Sequence, residues 1–345
     1  MRALPLFLLA GCSDYNVSGD NKPTKGRNQD DTHTVDTGAS QDSVPTDTTD
    51  SGGDTVTDSG GDSGTVEEPP KGKIDVVLLI DVAYWYDCYH ADLAVEGAAL
   101  INALMGSGAN IAISVATFDD YNVDGQWYTA YGGLPYIMKQ QLTTDTGLLL
   151  SAVSGLELVW GGDGPGTGFE AIAQATKGDG YDQDCNGNYD AAYDIKPFNQ
   201  RGSDAFNGGV KGTANSGTPG TGTIPGAGWR DGSTRVVVAF AENAFRDRDE
   251  GHAFPVGSCA AVNTGSATIA ALGSIGAEFL GVNAYEFQDE DPVLQRQLEA
   301  IANGTHSKID ADADGAIDDV AVLSGSWDWP ATSVLVAAIW DVATP

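Results

Sequence analysis

A doubly wound α/β domain carried behind a long polar segment is the fold this chain predicts, on three observations. First, V-V-L-L-I from Val76 is continuously apolar and R-V-V-V-A-F-A is so after its opening Arg235, as strands buried on both faces of a parallel sheet are. Second, each run is followed by a stretch with apolar residues at helical spacing, and strand–helix alternation puts helices on both faces of a mostly parallel sheet. Third, the composition changes at Lys73. Before it, residues 13–72 are dominated by Ser, Thr, Asp and Gly, with no apolar periodicity. Such a segment cannot bury enough surface to offset its ordering entropy, so it predicts a disordered, self-repelling tether.

Taken in order, Ile74–Ile80 predicts the first strand and ends on Asp81. Leu93, Ala94, Ala98, Leu100, Ile101 and Leu104 predict a helix over Ala91–Met105, stopped by Gly106. Asn110–Phe118 reads as the second strand and Asp119–Leu134 as a polar, aromatic hairpin excursion. Helices are predicted at Asp145–Leu156 and Gly168–Thr176, on either side of a glycine loop. Arg235–Ala241 is a strand, Ser266–Ile275 a helix, Glu278–Asn283 a strand and Pro292–Ala302 a helix. Val320–Leu323 closes the strands and Thr332–Val342 the helices. The Gly-rich stretch 178–232 interrupts the alternation, and an insertion of that length is usually functional or poorly ordered.

The formal net charge is −32, from 49 acidic against 17 basic residues. That field repels a phosphate backbone, so nucleic acid is excluded as a partner and cations are the natural small ligands. No enzyme is predicted. The histidines are dispersed, none is paired with a Ser or Cys at a recognisable motif, and no P-loop or G-x-S-x-G opens a helix. Carboxylate pairs of the kind a glycosidase uses abound, but without groove aromatics at defined positions they do not single out a hydrolase.

The first residues, M-R-A-L-P-L-F-L-L-A-G-C, carry one Arg and a short apolar run, which has the form of an export signal and is too short to span a bilayer. Leu9-Ala10-Gly11-Cys12 resembles the bacterial lipobox, which implies a signal peptide at 1–12 and a lipid on Cys12. Ser13 after that cysteine resembles outer-membrane sorting, on the periplasmic side or at the cell surface. Lipid is then the membrane attachment. Three cysteines remain, Cys88, Cys185 and Cys259, in an oxidising compartment; they allow one disulfide, and none forms a C-x-x-C pair.

Three stretches, in this order, resemble the von Willebrand factor A (vWA) family, and the integrin β-subunit version of it most. D-V-V-L-L-I-D-V-A-Y-W resembles its strand ending in D-x-S-x-S. G-D-G-P-G-T-G-F-E-A-I-A-Q resembles its Asp-Ser-Pro-Glu-Gly-Gly-Phe-Asp-Ala-Ile loop and helix. G-W-R-D-G-S-T-R-V-V-V-A-F-A-E-N-A-F resembles its Gly-Trp-Arg segment, strand and closing Asp. The resemblance covers residues 73–345 apart from most of the insertion, and implies a Rossmann-like vWA fold. It also implies a metal-ion-dependent adhesion site, holding Mg2+ or Mn2+ at the carboxyl edge of the sheet. Of D-x-S-x-S only Asp81 is kept; Ala83 and Trp85 replace the serines. The integrin-type Glu falls at Gly166, with Thr167 beside it as the hydroxyl ligand, and Glu242 stands for the closing Asp. The resemblance therefore implies a degenerate site of Asp81, Thr167 and Glu242, with Asp87 near the adjacent site. Read without it, Asp81 is equally a cap for the following helix.

Two further acidic loops have the opening of a calcium loop, with acids at alternating positions and glycine at six. They are Asp310, Asp312, Asp314, Gly315, Asp318 and Asp182, Asp184, Asn186, Gly187, Asp190. The Glu at position twelve of an EF-hand is missing, since Ala321 and Tyr193 stand there, so they resemble the shorter thrombospondin or dockerin kind. Each follows a helix and precedes a strand, which places both opposite Asp81 and predicts structural Ca2+. The same topology puts Cys88 and Cys259 on the Asp81 side as the preferred disulfide, with Cys185 in the far insertion. The expectation is an anchored lipoprotein whose vWA-like domain binds a protein or polysaccharide, in adhesion. The alternatives are a structural component of the envelope with calcium purely for stability, and a secreted hydrolase.

Overall fold

The structure, a computed structural model, describes residues 70–83, 87–121 (backbone alone for 87–93), 134–156, 165–183, 185–188, 194–195, 197, 224–252, 254, 264–284, 292–324 and 330–344. The expected signal peptide, nearly all of the tether and most of the insertion lie outside these residues. So do Cys12, Asp184, Asp190, Cys259 and the side chains of Trp85, Asp87 and Cys88. Every described element belongs to the compact unit Glu67–Pro345.

The central strand is β1 (Lys73–Asp81), buried at every position after Lys73. It pairs in parallel with β2 (Asn110–Phe118) on one side and β4 (Ser233–Ala241) on the other. β5 (Ala277–Asn283) and the short β8 (Val322–Ser324) continue in parallel, and β3 (Ile137–Thr143) closes the far edge antiparallel to β2. The order β3-β2-β1-β4-β5-β8 is that of a Rossmann-like, doubly wound sheet with one antiparallel edge. Helices α1 (Asp87–Gly106), α2 (Thr146–Ser154) and α6 (Thr332–Ala343) pack together on one face. On the other lie α3 (Gly168–Lys177), α4 (Gly265–Ile275) and α5 (Pro292–Thr305). This is a vWA-like fold.

The excursion after β2 returns as β3, whose sequence M-K-Q-Q-L-T lacks alternation because the strand is buried along most of its length. Val320–Leu323, expected as one strand, is divided at Ala321. Asp319–Val320 (β7) pairs back with Lys308–Ile309 (β6), while β8 joins the main sheet. Ala321 faces the core and its N–H donates to Ser307 O, at the point where the two pairings part.

The amino edge of the sheet is clamped by Asp75 and Arg230. Asp75 is fully buried and accepts from the Arg230 N–H at 2.6 Å, the Arg230 guanidinium and the Ser233 hydroxyl at 2.8 Å. Arg230 also donates to Ile74 O at 2.7 Å and Asn110 O at 2.9 Å. Next to it, buried Trp229 donates its indole N–H to Ala175 O at 3.1 Å. These contacts pin the end of the insertion to β1 and α3.

Candidate functional site

The strand order reverses between β1 and β4, and the crevice beyond the strand ends at such a reversal is where open α/β sheets bind ligands. Asp81 ends β1 there with 1 % of its surface exposed. Its Oδ1 accepts from the Ala83 N–H at 3.0 Å and its Oδ2 from the Glu242 N–H at 3.4 Å. α1 begins at Asp87, so Asp81 does not cap it. Burial, only partly offset by those two N–H donors, pushes its carboxyl up to about 6.

Thr167 arrives from the opposite wall. It occupies the position before α3, yet its side chain makes no capping bond. Its N–H donates to Asp119 O at 2.9 Å, and its hydroxyl reaches Asp119 O at 3.0 Å and Pro135 O at 3.1 Å. With the proton directed at carbonyls, the hydroxyl lone pairs remain for a cation. A side chain on Gly166 would begin 3.9 Å from Asp81 Oδ2 and 3.3 Å from Asp119 O, so this corner stands directly against Asp81.

Asp119 and Asp120, passed over in the sequence as the start of an excursion, belong to this site. They directly follow β2, at the same edge as Asp81, and that position was the signal available. Asp119 is 2 % exposed and its Oδ1 has no hydrogen-bond partner. Burial, then the charges of Asp120 and Asp81, push its carboxyl well up. Asp120 is served by Arg246, at 3.1 Å from Nε and 2.6 Å from Nη2. Asp81, Asp119 and Thr167 thus bring buried oxygens to one corner, where Glu242 is placed by its backbone N–H on Asp81, and Arg246 is committed to Asp120. Among the described residues, three carboxylates converge within 4.8 Å at Asp310, Asp312 and Asp314 and not here. Carboxylate and hydroxyl oxygens are the donor types that a hard divalent cation takes. Beside them burial, then the charge of Glu170, pushes the Tyr121 hydroxyl up.

The Asp310 loop lies at the opposite edge, as its topology implies. The Asp310 N–H donates to Asp341 Oδ2 at 3.0 Å, near the end of α6. Asp310, Asp312 and Asp314 bring carboxylate oxygens within 4.8 Å of one another. Asp310 accepts from the N–H groups of Asp314 and Gly315, each at 3.0 Å, and Ala313 and Gly315 take left-handed φ values of 58° and 89°. Asp318 is exposed, and the turn is closed by Asp319, which accepts from the Ala311 N–H at 3.0 Å.

The Asp182 loop departs from its expected place. After α3 the chain doubles back along that helix instead of running into a strand. Gly180 exchanges hydrogen bonds with the Gln174 side chain, and the Tyr181 ring packs 5.5 Å from Tyr121, which follows Asp119 and Asp120. The loop therefore returns towards the carboxyl edge. Asp182 Oδ2 accepts from the Gly187 N–H at 2.8 Å while its Oδ1 has no partner, and Asn186 Oδ1 accepts from the Asn188 N–H at 2.7 Å. Cys185 in this loop is disulfide-bonded. The expected Cys88–Cys259 pair lies outside the described side chains, and a bonded Cys185 is at odds with it wherever Cys12 carries the lipid.

No protein-family model matches the chain, and no curated protein matches it in sequence. Among solved structures it is similar to proximal thread matrix protein 1 from the mussel byssus in one crystal form, at 9 % identity and a TM-score of 0.42, over 81 % of this chain and 47 % of that one. A second crystal form gives 8 % identity and a TM-score of 0.40. The SpRpn10 vWA domain is similar at 14 % identity and a TM-score of 0.34, over 76 % of this chain and 93 % of that one. The chain thus spans about half the length of the mussel protein chain.

Proposed function

We propose that this is an envelope-anchored lipoprotein whose vWA-like domain captures a protein or polysaccharide partner through a divalent cation at the carboxyl edge. The observation that carries the reading is Asp119 Oδ1, a buried carboxylate oxygen without a partner, beside the equally buried Asp81. Two carboxylates held this close out of water disfavour each other's charge, and a cation relieves that. Asp81, Asp119, Thr167 and Glu242 would hold Mg2+ or Mn2+, and the ion would supply an open coordination position for a carboxylate of the partner. At the opposite edge Asp310, Asp312 and Asp314 would hold Ca2+ as a brace between α6 and the β6–β7 hairpin. The lipid on Cys12 and the acidic tether would hold the domain off an outer membrane.

Mn2+ binding to the purified chain, followed by electron paramagnetic resonance in an Asp310→Ala, Asp312→Ala background, tests the reading. Ion uptake abolished by Asp81→Ala and by Asp119→Ala is the expected result; uptake unchanged in both variants removes the site. Fatty-acid labelling in cells tests the anchor, which is lost as an idea if the wild-type chain takes up no label that Cys12→Ala abolishes.

A second reading, a structural component of the envelope with calcium for stability alone, draws on the burial of Asp81 and on Ala83, whose methyl stands where the family offers an oxygen. It predicts calcium-dependent melting without any cation-dependent binding partner.

A further inference from the structure

We infer that Asn186–Gly187 is a self-modifying site, where the native loop promotes loss of the Asn186 side-chain amide. The reaction needs three things: a backbone nitrogen able to attack Asn186 Cγ, a base to take that nitrogen's proton, and a donor to hold the charge that develops on Asn186 Oδ1. The loop supplies each of them. Gly187 N is the neighbouring nitrogen, and Gly187 has no side chain to shield it and stands in open space. Its proton already points at a carboxylate, Asp182 Oδ2, 2.8 Å away. That is the distance a general base requires. The Asn188 N–H lies 2.7 Å from Asn186 Oδ1, in the place of an oxyanion donor. Gly187 sits at φ 82°, a conformation open to glycine and rarely adopted by other residues, so sequence and geometry agree on this position.

The step balances without a cofactor. Gly187 N forms a bond to Asn186 Cγ as its proton passes to Asp182. The Cγ–Nδ2 bond then breaks, and the amide nitrogen takes that proton and leaves as ammonia. Water opens the resulting succinimide at one of its two carbonyls, giving aspartate or isoaspartate. The product has one more negative charge beside Asp182, in an exposed turn that also carries the disulfide-bonded Cys185. The site neither uses nor depends on the carboxyl-edge cluster.

Asn303–Gly304 is an internal control. It lies inside α5, where the helical backbone engages the glycine N–H, and a side chain on Gly304 would collide with Ile269. The purified full chain is held at neutral pH in chelator, native and in denaturant, and both peptides are followed by mass spectrometry for the amide-to-acid mass change. Native Asn186 is expected to convert at least about tenfold faster than denatured Asn186 and faster than native Asn303, with Asp182→Asn removing the advantage. Native conversion no faster than denatured overturns the proposal. An Asp182→Asn chain that stays folded and keeps the wild-type rate overturns it as well. If that variant unfolds, Asn303 rises to its denatured rate and reports it, and the native-against-denatured comparison decides alone.

Discussion

Arg246 grips Asp120 with two guanidinium nitrogens, at 2.6 and 3.1 Å, and both residues are buried. The pair stands next to Asp119, whose Oδ1 has no partner. A bidentate, desolvated ion pair of this kind is not readily shared, so the neighbouring carboxylate is left to burial. Arg246 is thereby committed to Asp120, and the cation proposed for the Asp81 and Asp119 corner would have to come from outside the chain.

The pH dependence of stability reports this directly. The Asp81 carboxyl is raised from 3.8 to about 6 by burial, so the folded state holds its proton more tightly than the unfolded one. That contribution is fully present below about pH 4 and is lost as pH rises through about 6, on the order of 3 kcal/mol for this group. In chelator, Asp81→Asn should flatten the fall in melting temperature between pH 4 and 6 that the wild type shows, and saturating Mn2+ should reduce it. Identical profiles for the two chains would show that Asp81 does not titrate in this window.

Asp119→Asn separates stability from ion binding. Removing one of two adjacent buried charges should raise the melting temperature in chelator, while weakening Mn2+ binding at least about tenfold. Calorimetry and thermal unfolding of the same preparation measure both. A variant less stable in chelator and unchanged in affinity would mean that Asp119 serves packing alone.

At the other edge, calcium should raise the melting temperature of the wild type. Saturation at about 100 times the dissociation constant corresponds to about 2.7 kcal/mol. Asp310→Ala removes the carboxylate that accepts from both Asp314 and Gly315, and should abolish the calcium response. A response that survives belongs to another site.

The Asp75–Arg230 clamp is expected to dominate the stability of the amino edge. Arg230→Ala leaves a buried Asp75 with one arm of its network gone, at a cost of about 3–5 kcal/mol in denaturant unfolding. A loss under about 1 kcal/mol, the size of a surface ion pair, would mean that water replaces the guanidinium.

Gly168 faces the Phe245 ring so closely that a methyl would sit 2.1–2.5 Å from its carbons. Gly168→Ala should therefore cost about 1–3 kcal/mol, and Phe245→Leu in the same chain should recover part of it. Additive losses in the double variant would refute the contact.

The fold was legible because a parallel strand buried on both faces takes a near-continuous run of apolar or small residues. Ile74–Ile80, Asn110–Phe118 and Arg235–Ala241 have that pattern, and the structure extends them by no more than two residues at an end. β3 was not legible, since K-Q-Q in its middle reads as polar until one sees Ser114 donating to Gln140 O at 2.8 Å inside the sheet. Of the candidate site, the strand pattern singled out Asp81 alone; Thr167 and Glu242 came only through the vWA resemblance.

By itself the sequence determined the strand and helix order, the carboxyl edge at which Asp81 lies and the opposite edge for Asp310, because periodicity and right-handed crossovers leave little choice. Only the tertiary structure decided that Asp119 joins Asp81, that Arg246 is spent on Asp120, and that the Asp182 loop folds back along α3. Those outcomes depend on which polar groups meet once water is excluded. Partnering of that kind is set by distances between segments far apart in the chain, and no local pattern encodes them.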